Sequence, residues 1–326
     1  MAALNLVDMA KGMKDDVMAG ILFQNADHPA GLLMQRLPYR DVTSRSVVQW
    51  QIDSVTPAST RRIGNGFGTV KDSFSPSNEG TYIYGDQLDI DRAHFRGRGD
   101  ADLDPWAENL ALEAERFRYR WNDDFINGNR GTTPDAINGL KKRLDDLVAG
   151  GFSDTKIAAS SATSGLELGT SDANRHAFLD KFEEAKFELR GMVDLVLTSQ
   201  AGYLAMGRVA RRSGLLDITK DVFDREVTNY AGIPVGWVGT KGDQTTEIIT
   251  STEDPGDGGT DSTSFYFVRF GPRYVHGIQL MAPEKSFDGI LNDGVTHRVV
   301  WEWEVGLTSF DKRAFARLHK VVPNFA

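Results

Sequence analysis

Residues 104–128, DPWAENLALEAERFRYRWNDDFING, favour one structure along their whole length, and that structure limits how the rest of the chain can pack. Asp104 can accept backbone N–H bonds as an N-cap, Pro105 takes the first helical position where its missing donor costs nothing, and Gly128 offers a left-handed stop. Between them Trp106, Leu110, Ala114, Phe117, Trp121 and Phe125 recur at spacings of three and four, with Glu108, Glu113, Glu115, Arg116 and Arg120 mostly elsewhere. The pattern predicts an amphipathic helix about 36 Å long, nearly twice the ~20 Å radius of gyration of a compact chain of this size. Such a rod is a beam that other elements must span. The best partner is near the C-terminal end, where Val299, Trp301, Trp303, Val305 and Leu307 alternate with Arg298, Glu302, Glu304 and Gly306 as a strand with one aromatic face. That face is expected to pack on Trp106, Phe117 and Trp121.

A second feature is harder to fold. Val48, Trp50 and Ile52 alternate with polar residues, and so do Tyr82, Tyr84, Leu88 and Ile90, which predicts two strand arms. The residues between them are rich in Gly, Ser, Thr and Asn and carry Arg61, Arg62 and Lys71, with few apolar residues beyond Ile63, Phe67, Val70 and Phe74. This piece cannot build its own core. Continued as strands, each arm reaches about 50 to 60 Å, and a two-stranded ribbon of that length needs something to lie on. The alternative is a mobile loop.

Elsewhere Leu6, Met9, Ala10, Met13, Val17 and Ile21 follow helical spacing, and 28–38 reads as an extended arm broken by prolines. Residues 134–147 read as a short helix and 150–171 as a Gly/Ser/Ala/Thr connector. Phe178, Phe182, Ala185 and Leu189 mark another amphipathic helix, 193–198 an apolar strand, and Ser199 the cap of a helix stopped by Gly214. Strand-like runs follow at 233–238, 247–250, 265–270 and 275–281, and 253–264 is a polar insertion. Helices and strands mix without strict alternation, which makes the fold class α+β.

Little here points to catalysis. The six histidines, His28, His94, His176, His276, His297 and His319, have no metal-ligand spacing and read as surface or edge residues. Gly64, Gly66 and Gly68 miss the nucleotide-binding patterns, and no nucleophile elbow is present. Asp254, Asp257 and Asp261 do not match a calcium loop, and Arg98-Gly99-Asp100 reads as a plain turn. Asp123 and Asp124 are better partners for Arg120 than acid–base catalysts. No catalytic, cofactor-binding or metal residues are therefore assigned. With 46 acidic against 37 basic residues and a net charge of −9, the chain is a poor phosphate binder, and it has no cysteine for disulfide or thiolate chemistry. Its apolar runs fall short of the ~20 residues that span a membrane, and its start lacks a signal pattern, so a soluble, unprocessed, intracellular protein is expected.

Taken in order, HPAGLLMQRLP, the ribbon at 46–84, the strand DQLDIDR, the helix ending in DDFINGN, INGLKKRL, DLVLTSQAGYLAMGRV, YAGIPVGWV and VVWEWEVGLTSFDKRAFARL resemble the major capsid protein family of tailed double-stranded DNA bacteriophages, the Hong Kong 97 fold. The resemblance covers nearly the whole chain through the succession of segments. It implies an N-terminal arm at 1–45, an E-loop hairpin at 46–85, a peripheral domain at 86–170 with the spine helix at 104–128, an axial domain at 171–282, and peripheral return strands at 283–326. It further implies a structural protein, not an enzyme, that assembles with copies of itself as hexamers and pentamers into an icosahedral shell. The shell would form in the host bacterial cytoplasm and enclose double-stranded DNA without reading its sequence, in the virion. Because only 45 residues precede the ribbon, a separate scaffolding protein is implied, with a portal and decoration proteins as further partners and no membrane.

The family's E-loop lies over a neighbouring subunit, which is where a coreless ribbon finds a core. On that basis Arg61, Arg62 and Lys71 are expected to approach a neighbour's acids, with Glu108, Glu113 and Glu115 as candidates and plain solvent exposure as the alternative. Where relatives join an E-loop lysine to a neighbour's asparagine, Lys71 and Asn292 would take those places, although no motif supports the bond. Encapsulin compartments share the fold and are the nearest rival; a soluble two-domain enzyme with a cleft is the rival from another class.

Overall fold

The computed structural model describes residues 29–69, 71–93, 105–214, 216–220 and 226–324. A 3₁₀ turn at Pro29–Gly31 leads into α1 (Leu32–Arg36) and β1 (Tyr39–Asp41), then β2 (Ser46–Ser54), β3 (Ser73–Gly80) and β4 (Tyr82–Asp91). Next come α2 (Pro105–Asn127), α3 (Leu140–Ala149), β5 (Lys156–Ala158), β6 (Leu166–Glu167), α4 (Asp172–Glu188), β7 (Leu195–Thr198) and α5 (Gln200–Arg212). The rest is β8 (Leu216–Lys220), β9 (Glu226–Tyr230), β10 (Ile233–Trp237), β11 (Thr263–Val268), β12 (His276–Ile290), β13 (Thr296–Thr308) and β14 (Phe315–Val322). The strands form a four-stranded sheet ordered β1-β12-β13-β4, an eight-stranded sheet running β5-β14-β11-β7-β10-β9-β8 with β6 beside β14, and a separate ribbon of β2 and β3.

The long helix lies on the four-stranded sheet, as its stripe requires. Ring centroids of Phe117 stand 5.4 Å from Trp301 and 5.1 Å from Trp303, and Trp121 lies 5.9 Å from Trp303. Phe125 and Ile126 complete the buried row. Asp104 and the side chains of Trp106, Leu110 and Ala114 lie outside the described residues. Gly128 ends the helix for a different reason than expected. Its φ is not left-handed; instead a Cβ there would sit 2.4 Å from the carbonyl oxygens of both Asp124 and Ile137. The glycine is needed for close approach, and the chain folds back through the Gly139 N–H, which donates to the Gly128 carbonyl at 2.8 Å.

The central strands of the eight-stranded sheet, β7, β10 and β11, are covered on both faces and buried along nearly their whole length. Leu195 and Leu197 of β7, with Tyr266 and Val268 of β11, join the core beneath α2, while Val196, Phe265 and Phe267 point the other way into a core with Phe178 and Phe182 of α4 and Met206 and Val209 of α5. Ser171 and Ser199 cap α4 and α5, their hydroxyls accepting the N–H of Asn174 at 3.1 Å and of Gly202 at 3.0 Å.

Several segments depart from the sequence reading. Residues 28–38 are no extended arm where described: Pro29 starts a helical turn, and Leu32, Leu33, Met34, Leu37 and Tyr39 are buried in the chain's own core. Leu32, Leu33, Met34 and Gln35 are all buried in this five-residue helix, leaving only Arg36 exposed, and β1 then pairs in parallel with β12. Within 150–171, β5 and β6 pair with β14, so this stretch completes a sheet. The helix expected at 134–147 begins at Leu140, and 247–250 contributes only a bridge between Thr240 and Glu247. The C-terminal strands divide, β13 in the four-stranded sheet and β14 in the eight-stranded one. His276 is buried, with its ring stacked 6.2 Å from Phe310 and its pKa lowered by burial, so it is no surface residue.

Candidate inter-subunit surface

The ribbon does not pair as its alternation suggested. The partner of β2 is β3, SFSPSNEG, with Ile52 opposite Phe74, Trp50 opposite Pro76 and Val48 opposite Asn78. The stronger alternating run, Tyr82–Asp91, pairs instead with β13, setting Tyr84 against Trp303. Polar β3 with its proline reads as a loop, yet a proline is tolerated in a ribbon because each strand has a free edge. Thr81 marks the change of sheet.

At its root the ribbon is tied to the body by polar contacts. Arg143 of α3 donates from Nη1 to Glu79 Oε1 at 2.6 Å, from Nη2 to the Leu307 carbonyl at 2.8 Å and from Nε to the Asn138 carbonyl at 2.7 Å. Glu304 of β13, only 5% exposed, accepts from Thr81 Oγ1 at 2.9 Å and pairs with Arg45 Nε at 2.9 Å. Further out, Lys312 bonds to Asp53 and, with the Ser75 hydroxyl, holds that carboxyl below its usual range.

These contacts set the ribbon's orientation, and with it an inverted amphipathicity. Along β2 the half-buried or buried residues are Val47, Gln49, Gln51 and Asp53, while Val48, Trp50 and Ile52 are exposed. Trp50 is 57% and Phe74 51% exposed on the same face of the ribbon. Polar residues bond inward and apolar ones meet solvent. Beyond Ser54 every described residue to 69 is exposed, including Ile63 and Phe67.

The tip carries the expected cations. Arg61 donates from Nη1 to the Asn65 carbonyl at 3.3 Å, and its guanidinium carbon lies 5.2 Å from the Phe67 ring centroid. Arg62 and Lys71 are exposed. Among the described residues none of these three meets an acid of its own chain. Glu115 is half-buried on α2, beside Tyr119 and Arg120 in a groove of about 450 Å³; the side chains of Glu108 and Glu113 lie outside the described residues. Asn292 is exposed in the β12–β13 turn. Among the described residues, Arg61, Arg62 and Lys71 thus form no ion pair with Glu115 of the same chain.

Other candidate chemistry resolves into structural contacts. Arg120 donates to Asp124 at 2.8 Å, and Tyr84 donates to the same carboxylate at 2.9 Å; burial raises the pKa of both Asp124 and Tyr84. Asp254 accepts the amides of Gly256 and Gly258, which holds its pKa low and turns the loop. Among the described residues no group of three or more His, Asp or Glu could hold a metal ion, and no helix is long and apolar enough to cross a membrane. Arg98-Gly99-Asp100 lies outside the described residues. A buried ion pair that spacing could not reveal joins Arg317 Nη2 to both Glu253 oxygens at 2.9 Å.

The sequence matches no family model and no curated protein. The fold matches the encapsulin of the holo-SrpI encapsulin complex from Synechococcus elongatus PCC 7942, with a TM-score of 0.63 and 15% identity over 92% of this chain and 90% of that one. It matches the capsid of a native GTA particle at 0.58 and 13% identity, over 90% of this chain and 91% of that chain. A chain of Mycobacterium phage Bobi matches at 0.53 and 12% identity over 90% of each. The fold is therefore that of the Hong Kong 97-like capsid and shell proteins.

Proposed function

We propose that this chain is a shell subunit, the major capsid protein of a phage head, which assembles with its own copies into an icosahedral container for double-stranded DNA. The ribbon carries this reading. A strand pair that turns Val48, Trp50, Ile52 and Phe74 to water while spending its polar side chains on its own body is arranged for a partner on that apolar face. Covering each of these half-exposed side chains contributes about 1 kcal/mol, and closed symmetry repeats the contact around the shell. In this reading α2 is the spine helix of the peripheral domain, and the eight-stranded sheet with α4 and α5 forms the axial domain. Arg61, Arg62 and Lys71 approach acids of the neighbour, Glu115 among them. Scaffolding, portal and decoration proteins are the further partners, and DNA is held without sequence recognition. No enzymatic role is assigned.

Sizing the purified protein tests the reading: megadalton particles, hexamers or pentamers support it, and a chain that stays monomeric at all concentrations refutes it. The variant Trp50→Ser/Ile52→Ser should remain folded, since both residues are exposed, yet form no shells. Charge reversal of Arg61 and Arg62 to Glu should impair assembly with the subunit's circular dichroism unchanged; normal shells would remove the tip from the interface. The likeness to an encapsulin favours a second reading, a compartment for protein cargo. The contents of purified particles, nucleic acid or protein, separate the two.

A further inference from the structure

A cavity of about 490 Å³ opens between the outer part of the ribbon, where Asp53 meets Lys312, and the body of the same chain. One wall is the apolar face of the ribbon, Trp50, Ile52 and Phe74; across from it stand Tyr274 and Phe310, with Arg190 and Arg273 beside them. A third arginine, Arg269, is off the wall itself: its guanidinium carbon lies 3.6 Å from the Tyr274 ring centroid and its Nη2 donates to Met192 Sδ at 2.9 Å. The other charges here are matched: Lys312 to Asp53, Arg313 to Glu188, and Asp311 to the amide of Arg313. Among the described residues Arg190, Arg269 and Arg273 have no carboxylate at ion-pair distance. Arg190 and Arg273 on the groove wall, without a carboxylate partner and with Arg269 over the Tyr274 ring, form a local exception in a chain with nine more acids than bases. Arginine and aromatic side chains grouped in this way are the usual anchors of a protein interface.

We infer that this groove seats an apolar, carboxylate-bearing segment of a second copy of the chain. Each subunit then contributes both a ribbon laid over one neighbour and a cleft that grips one between ribbon and body. The inference rests on the shell reading and adds the receiving site. A second copy fits because the groove wall continues the ribbon face that needs covering, and because the chain's own surface supplies carboxylates in excess. Nucleic acid phosphates would satisfy the arginines but leave Trp50, Ile52 and Phe74 wet.

The test uses the full chain. A photoreactive benzoylphenylalanine replaces Phe310, and shells are assembled from a mixture of ¹⁴N- and ¹⁵N-labelled subunits. Irradiation should give subunit dimers whose crosslinked peptides join light to heavy chains and map to an acid-bearing segment. Crosslinks confined to one chain, to DNA or to another protein overturn the inference. In parallel, Arg190→Glu/Arg273→Glu should raise the concentration needed for half-assembly about tenfold or more, through like-charge contact across the interface. The thermal midpoint of the dissociated subunit should not move, because both side chains are exposed. If the wild-type chain assembles and this variant assembles equally well, the groove inference fails and the shell reading stands; if the wild-type chain never assembles, both fall.

Discussion

Replacing Arg143 with alanine should loosen the ribbon at its root. Its guanidinium makes three hydrogen bonds of 2.6 to 2.8 Å to Glu79, Leu307 and Asn138, and its side chain and that of Glu79 are only 9% and 12% exposed. Removing one partner of a buried ion pair costs about 3–5 kcal/mol, mostly because the other charge is left without compensation. A cavity of about 200 Å³ beside the pair admits water to Glu79, which places the loss at the lower end, about 3 kcal/mol. With a urea slope of about 3 kcal/mol/M for a chain of this size, the unfolding midpoint of dissociated subunits should fall by about 1 M. Amide exchange along β3 should accelerate together with it, since Glu79 lies on that strand. The variant Glu79→Gln, which keeps an acceptor for Arg143, should cost far less, and Glu79→Gln/Arg143→Met should recover much of the loss. A midpoint shift below about 0.2 M for Arg143→Ala would mean that water replaces the guanidinium and that the ribbon is held by its backbone alone.

Two further outcomes follow from the core and from a turn. Trp303→Ala removes a fully buried ring packed on Phe117 and Trp121 and the 3.1 Å bond from its Nε1 to Gln279; it should cost about 3–5 kcal/mol in denaturant unfolding, and a loss under 1 kcal/mol would show that helix and sheet do not share this core. In the β12–β13 turn, Asp293 accepts the Thr296 hydroxyl and the amides of Thr296 and Val295, which lowers its pKa to about 2. Because the folded pKa lies below the unfolded one, this contribution is complete above the ordinary carboxylate range and is lost as pH falls toward 2. Amide exchange at Val295 and Thr296, corrected for intrinsic rates, should rise over that window in the wild type; Asp293→Ala should show high exchange throughout, and identical profiles would refute the assignment.

Local pattern alone determined the large elements. The four-residue spacing of Phe117, Trp121 and Phe125 defined the buried side of α2, and the alternation from Val299 to Leu307 defined the aromatic side of β13. Ser199 marked a helix start for the same local reason, since a hydroxyl needs only the amide three residues on; Ser171, read as the end of a connector, caps α4 in the same way. The order of such segments also carried the likeness to capsid proteins. What a face meets is another matter. Tertiary structure decided that β2 pairs with polar β3, while the better-patterned β4 joins β13, and that the helical turn after Pro29 is buried in the chain's own core. It also decided that the ribbon shows its apolar side to water, through bonds between residues 64 positions apart at Glu79 and Arg143 and 259 apart at Arg45 and Glu304. Periodicity records which side chains share a face, whereas the orientation of that face is chosen by ion pairs between distant residues whose spacing leaves no repeating trace.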